Sequence, residues 1–310
     1  MKDLRGIYPA LPTPMRPGGA VDYPALDALV DYEIGQGVDG LYVGGSTAES
    51  FLLTEDERMR IAETVLRRAA GRLKVIVHTG AGGTDAAIRL SRHAREHGAD
   101  AISSVPPIYF KYTTEEIIGY YRDLIEASEM PLVVYNIPAF TGINMTQGGI
   151  RELFKHPLVV ALKHTNTNMY ELERILAHHP RLVALNGYDE AFLSGLSMGA
   201  SGMIGSTVNF MARKFVALRD AFLSGRVDEA FRLQREANEI VETLVDVGVF
   251  NAVKYAMQLR GVQLRYVPGA VQAAFGCRQG AGEGRSGKES RRASIERRLS
   301  SMSRSTGPGA

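Results

Sequence analysis

Lys163 closes the apolar run Leu158-Val159-Val160-Ala161-Leu162, so an ammonium group stands where a buried β-strand should end. A lysine placed there can shed part of its hydration, which favours the neutral amine able to attack a carbonyl. The competing reading is a strand-end lysine whose stem lies on apolar surface while its charge reaches water. Tyr135 ends a second apolar run, Leu132-Val133-Val134, and a buried phenol needs a hydrogen-bond partner. It is either core or an acid–base group, and the second role requires its hydroxyl and Lys163 to face one mouth. Gly44-Gly45-Ser46-Thr47 offers hydroxyls and amide N–H groups suited to a carboxylate beside a helix start, or else is an ordinary glycine turn. Asp189 and Glu190 either cap the helix behind them or, as paired carboxylates, bind the hydroxyls of a sugar.

Something must carry these groups to one place. From Ile7 to about Thr207, short β-like runs alternate with longer segments of helical period, the pattern of repeated βα units around a parallel sheet. The eight runs are Gly6-Leu11, Gly40-Val43, Lys74-His78, Ala101-Val105, Leu132-Asn136, Val159-Lys163, Leu182-Asn186 and Gly202-Ile204. Helical stretches follow at Tyr23-Gln36, Thr54-Ala70, Ala86-His97, Thr114-Ala127, Gln147-Lys155, Met169-His178, Glu190-Met198 and Met211-Leu223. Thr54-Glu55-Asp56-Glu57 is a capping box, and Thr113-Thr114-Glu115-Glu116 offers a second cap with early acidic charge. The count predicts an α/β fold, a (β/α)8 TIM barrel with additional C-terminal helices at Val227-Val247 and Phe250-Arg260. An open doubly wound sheet competes, but no G-x-G-x-x-G follows the first strand. Residues 1–225 are read as the barrel, 226–263 as a helical extension and 264–310 as an irregular basic tail. Chemistry in such a barrel gathers at the C-terminal strand ends. There lie Ser46-Thr47, Tyr109, Tyr135, Lys163, Gly187-Tyr188-Asp189-Glu190 and Gly205-Ser206-Thr207.

Composition narrows the class. The 310 residues are 45% apolar, enough for a sizeable core. No stretch approaches the roughly 18 apolar residues of a membrane span, and Met1-Lys2-Asp3-Leu4-Arg5 lacks a signal peptide's apolar run, so the expected address is cytoplasmic. The single cysteine, Cys277, excludes an internal disulfide framework and a cysteine-based metal cluster. The seven histidines are scattered without an H-E-x-x-H spacing, so no metal is expected; His78 reads as polar core and His164 as a supporting group. The net charge of +2 conceals a tail from Gly276 to Ala310 that alone carries eight Lys/Arg against three Glu. The body is therefore slightly acidic, and no nucleic-acid partner is expected. That tail has little apolar content and no sustained period, and is expected to stay flexible.

Taken together, Gly44-Gly45-Ser46-Thr47-Ala48-Glu49, Tyr135-Asn136-Ile137-Pro138 and Lys163 resemble the pyruvate-dependent class I aldolases, the family of dihydrodipicolinate synthase and N-acetylneuraminate lyase. The resemblance covers roughly residues 5–263. It implies a Schiff base between Lys163 and the keto acid, proton transfer by Tyr135, and a carboxylate held by Ser46 and Thr47, with no cofactor beyond that covalent imine. Gly187, Asp189 and Glu190 resemble the lyase branch's sugar-binding motif, and Thr165 and Ser206 match its other hydroxyl-binding positions. The synthase branch expects an arginine two residues after the motif's proline, where this chain has Phe140, and a phenyl ring makes no bidentate ion pair. The implied reaction is cleavage of a sialic acid to pyruvate and an N-acyl mannosamine. Another pyruvate-dependent aldolase, acting on a keto-deoxy sugar acid or making dihydrodipicolinate, is the alternative, and a noncatalytic sensor of such acids is a third. Tyr109 matches a relay tyrosine that reaches a neighbouring subunit in the synthase branch, which implies a homo-oligomer, usually a tetramer. Ala48 stands where the family motif normally has glycine, so a positive φ at that position would strain the loop.

Overall fold

The computed structural model describes residues 3–264 apart from 146, 147, 246 and 247. The tail from 265 onward, including the basic segment and Cys277, lies outside the described residues.

Eight parallel strands run β1 (Gly6–Pro9), β2 (Gly40–Val43), β3 (Lys74–His78), β4 (Ala101–Ser104), β5 (Leu132–Asn136), β6 (Val159–His164), β7 (Val183–Asn186) and β8 (Gly202–Gly205). Neighbours in sequence pair side by side, β1 pairs β8, and a parallel bridge between Ala10 and Tyr42 brings β1 back to β2. This is the (β/α)8 barrel that the alternation of runs predicts.

Period-two alternation divides the strand residues between two cores. On β5, Leu132 and Val134 face the helices, whereas Val133 and Tyr135 face the barrel interior beside Tyr8, Tyr42, Ile76 and Leu185. On β6 the register shifts: Leu132 pairs with Val159 but Val133 with Ala161, which leaves Val160 as the extra residue of a bulge. That bulge reverses the phase of β6. Val159 belongs to the outer core, Ala161 to the inner one, and Tyr135 then pairs with Lys163.

The barrel helices are α1 (Tyr23–Ile34), α2 (Glu55–Ala69), α3 (Thr84–Glu96), α4 (Thr114–Ser128), α5 (Pro138–Thr141), α6 (Met169–His178), α7 (Phe192–Ser197) and α8 (Val208–Leu223). Both expected capping boxes form. Thr54 Oγ1 accepts from the Glu57 amide at 3.2 Å while Glu57 accepts from the Thr54 amide at 2.9 Å, and Thr113 and Glu116 repeat the exchange before α4. Three stretches differ from expectation. Gly148–Lys155 is 3-10 rather than α-helix, consistent with the two glycines that open it. The segment expected to be one helix from Glu190 divides into a 3-10 turn, Asp189–Ala191, and the short α7. α8 begins at Val208, not Met211, whose φ of −122° marks a kink instead of a start. After the barrel come α9 (Val227–Val245) and α10 (Val249–Leu259), which pack on α8. Among the described residues no helix is long and apolar enough to cross a membrane.

Candidate active site

The C-terminal strand ends open into a cavity of about 520 Å³, lined by Ser46, Thr47, Tyr135, Lys163, Thr165, Gly187, Asp189, Glu190 and Ser206. Nine of the ten site residues expected from sequence therefore converge there. They come from the C-terminal ends of β5 and β6 and from the loops after β2, β6, β7 and β8.

At the floor, Lys163 is only 4% exposed, which excludes a side chain that simply reaches solvent. Its Nζ lies 3.9 Å from the centre of the Tyr135 ring and 4.3 Å from that of Tyr42. Two aromatic faces thus flank the amine, an attractive arrangement for a cation. Tyr42 itself sits edge-on to Tyr135 and donates to Ser103 Oγ at 3.1 Å. Burial, and then the neighbouring Tyr135, hold the Tyr42 phenol well above its ordinary range. Tyr42 escaped the sequence reading because an aromatic residue within a strand is ordinary core; only its inward phase hinted otherwise.

Tyr135 is buried, and its hydroxyl lies 3.4 Å from Ser46 Oγ. Thr47 Oγ1 in turn lies 2.7 Å from Ser206 Oγ, so hydroxyls from strand β5 and from the loops after β2 and β8 meet in pairs. The turn that presents Ser46 and Thr47 is a single 3-10 turn, Ser46–Ala48. The left-handed residue is Glu49, with φ of 56°, and Ala48 is not among the positive-φ residues. Alanine therefore fits where strain was a concern. Gly45 serves a different purpose from close approach to a ligand, since a Cβ there would lie 2.4 Å from the Tyr42 ring.

Below this turn, His78 is polar core. Its Nδ1 bonds to the Gly44 carbonyl at 2.9 Å, while Arg58 donates to the His78 carbonyl at 3.0 Å. Burial, reinforced by the positive charges of Arg58 and Lys163, holds the imidazole well below its ordinary range, so it is neutral. His164 supports the neighbouring loop through Asn136 Nδ2 and the Asn168 carbonyl, both at 3.3 Å, and burial lowers its basicity too.

On the far side, Thr165 Oγ1 is buried without a partner, close to Gly187, where a Cβ would come within 1.9 Å of it. Asp189 does not cap the helix behind it. Its Oδ2 accepts from the Thr207 amide at 2.7 Å and from Thr207 Oγ1 at 2.6 Å, tying the β7 loop to the β8 loop, and its Oδ1 is buried with no partner. Burial pushes this carboxyl up to about 6, with the Thr207 donors opposing the rise. Glu190 is exposed at the cavity rim, so the two adjacent acids have different environments.

Tyr109 is the exception. It stands 92% exposed on a left-handed backbone, packs edge-on against Phe110, and does not line its own chain's cavity. Asn251 and Phe250 of α10 do line it, and neither had a signal in sequence beyond its place in a terminal helix. His93, near the end of α3, and His97, its C-cap, lie four residues apart and meet Glu63 of α2, a cluster that the scattered histidines did not reveal. There Glu63 pairs with His93 Nε2 at 2.8 Å and the two imidazoles stack, away from the cavity lining.

Residues 3–269 match the model of the Dihydrodipicolinate synthetase family. An N-acetylneuraminate lyase of Rhizobium meliloti is 44% identical over 259 residues, 84% of this chain and 86% of the relative. One from Citrobacter koseri is 42% identical, covering 84% and 88%. Among solved structures, CdNal from Clostridium difficile in complex with mannosamine superposes with a TM-score of 0.86 at 31% identity, over 96% of this chain and all of that one. Dihydrodipicolinate synthase from Aquifex aeolicus does so with 0.85 at 27%, over 97% and 98%.

Proposed function

The chain belongs to the dihydrodipicolinate synthetase family and is a carbon–carbon lyase; on that premise we propose that it reversibly cleaves a sialic acid, N-acetylneuraminate, into pyruvate and N-acetylmannosamine. The observation that carries the reading is a buried Lys163 between two tyrosine rings at the floor of a cavity rimmed by hydroxyls.

The chemistry follows from the groups. The Lys163 amine adds to the C2 ketone, and as water leaves the Tyr135 hydroxyl gives up its proton, so that a protonated imine and a Tyr135 phenolate remain. Tyr135, with Ser46 beside its hydroxyl, accepts the C4 hydroxyl proton as the C3–C4 bond breaks. The bonding electrons move to the imine nitrogen as an enamine, the aminosugar leaves as an aldehyde, and protonation at C3 followed by hydrolysis frees pyruvate. Ser46 and Thr47 hold the carboxylate. Glu190, Thr165 and Ser206 face the sugar chain, Gly187 leaves room for the Thr165 side chain, and Asp189 keeps the β7 and β8 loops together. No metal or organic cofactor enters this scheme. The reading carries with it a homotetramer in the cytoplasm, in which Tyr109 serves a neighbouring protomer's site.

The synthase alternative suffers at Phe140, which lines the cavity with an apolar ring where a cation is needed. The sensor alternative rests on Ala48 and on the unusual basic tail; the backbone at Ala48 is not left-handed, and the tail lies outside the described residues. Borohydride reduction in the presence of pyruvate should add a covalent mass to the Lys163 peptide. Recovering that peptide unmodified from folded, pyruvate-saturated protein overturns the imine. Pyruvate release from N-acetylneuraminate tests the substrate; release from other keto-deoxy sugar acids alone would move the assignment to another aldolase.

A further inference from the structure

Lys254 sits on α10 with 1% of its surface exposed, amid the apolar residues Ala252, Val253, Ala256 and Met257. A buried ammonium is unfavourable unless paired. Its partner is Glu49, 205 residues away in the chain, whose Oε1 accepts from Nζ at 2.6 Å. Glu49 closes the turn that presents Ser46 and Thr47, and its amide donates to the Ser46 carbonyl at 2.9 Å. Its backbone is left-handed at φ 56° and ψ 35°, a conformation uncommon for a residue other than glycine.

We propose that Lys254 is a positioning residue which, through its ion pair with Glu49, holds the Ser46–Thr47 turn at the carboxylate end of the cavity. The assignment of that end rests on the keto-acid reading of the site. The consequence is specific because both hydroxyls already make cross-loop contacts, Ser46 with Tyr135 and Thr47 with Ser206, and a shift of the turn breaks both. The last helix of the described chain thereby sets the geometry of the turn after β2. Asn251, one helical turn before Lys254, lines the cavity, so α10 supplies both wall and clamp.

The test uses the full chain with Lys254→Met, Lys254→Arg, Glu49→Gln and the Lys254→Met/Glu49→Gln pair. Lys254→Met should accelerate hydrogen exchange of the amides in 46–49 and raise the KM for pyruvate in the condensing direction about tenfold or more, with kcat changed less than about threefold. Lys254→Arg should restore most of the affinity, and the double variant should be no worse than Lys254→Met alone. Wild-type exchange and wild-type KM in Lys254→Met would overturn the proposal. Should that variant fail to fold, Glu49→Gln is read in the same two ways. A wild-type chain that forms no borohydride adduct with pyruvate defeats the keto-acid reading instead, while the exchange of 46–49 still decides whether Lys254 positions the turn.

Discussion

Tyr135 and Lys163 pair across adjacent strands, and the chemistry of each depends on the other's placement. Tyr135→Phe keeps the ring against the amine but removes the proton acceptor. Steady-state pyruvate release should fall in kcat by about 10²–10⁴-fold, with KM changed little; a kcat within a few-fold of wild type would remove Tyr135 from proton transfer. Asp189 yields a prediction about pH. Its folded value of about 6 lies above the ordinary 3.8, so the folded state binds more protons than the unfolded one between those values. Stability from this group is therefore present at low pH and lost as pH rises through the window, by order of 3 kcal/mol. Asp189→Asn retains an acceptor for Thr207 and cannot ionise. Thermal melts should show the variant gaining on wild type as pH rises from 3.8 through about 6 and levelling off above, and a constant difference would contradict the assignment. Gly187→Ala places a methyl 1.9 Å from Thr165 Oγ1. Overpacking of this kind should cost about 1–3 kcal/mol in denaturant unfolding, and by displacing Thr165 it should also raise KM for the sugar acid; an unchanged midpoint would show that the loop yields freely.

Elements place these residues, and most were legible. Apolar runs bounded by polar loops marked all eight strands, with β2, β3 and β5 matching residue for residue, because a parallel strand buried on both faces reads as an uninterrupted apolar segment. Helix starts were legible through local chemistry: Thr54 and Thr113 satisfy amides three residues on, whatever the rest of the chain does. Thr54→Ala should lower the unfolding free energy by about 1 kcal/mol, read as a shifted urea midpoint with an unchanged m-value; a matching loss of activity is not expected because the cap lies off the cavity lining. The β6 bulge was not legible. Nothing in Leu158-Val159-Val160-Ala161-Leu162 distinguishes the valine that is skipped, since the skip is defined by pairing with β5. Lys254 left a signal that could have been read, the one charge in an otherwise uncharged helix, but its partner 205 residues away could not be inferred.

At the scale of the molecule, barrel shape does not separate the two branches of the family, for an N-acetylneuraminate lyase and a dihydrodipicolinate synthase superpose almost equally well. The side chains at the mouth discriminate, Phe140 foremost. Tyr109 and Phe110 stand 92% and 68% exposed, an aromatic pair that a tetramer would cover. Light scattering should give four protomers for the wild type and a smaller species for Tyr109→Ser/Phe110→Ser; identical masses would place that pair outside any interface. What the sequence by itself determined is the repeated βα pattern, and with it which residues stand at strand ends, because periodicity and capping are local properties. Only the tertiary structure decided which way those residues point and what they meet. The bulge turns Lys163 into the barrel, Thr207 engages Asp189, Glu49 rather than Ala48 takes the left-handed turn, and Lys254 returns from α10 to hold it. The bulge, the Asp189–Thr207 contact and the Lys254–Glu49 pair each join separate segments of the chain, set by packing of the whole barrel and invisible to any local pattern.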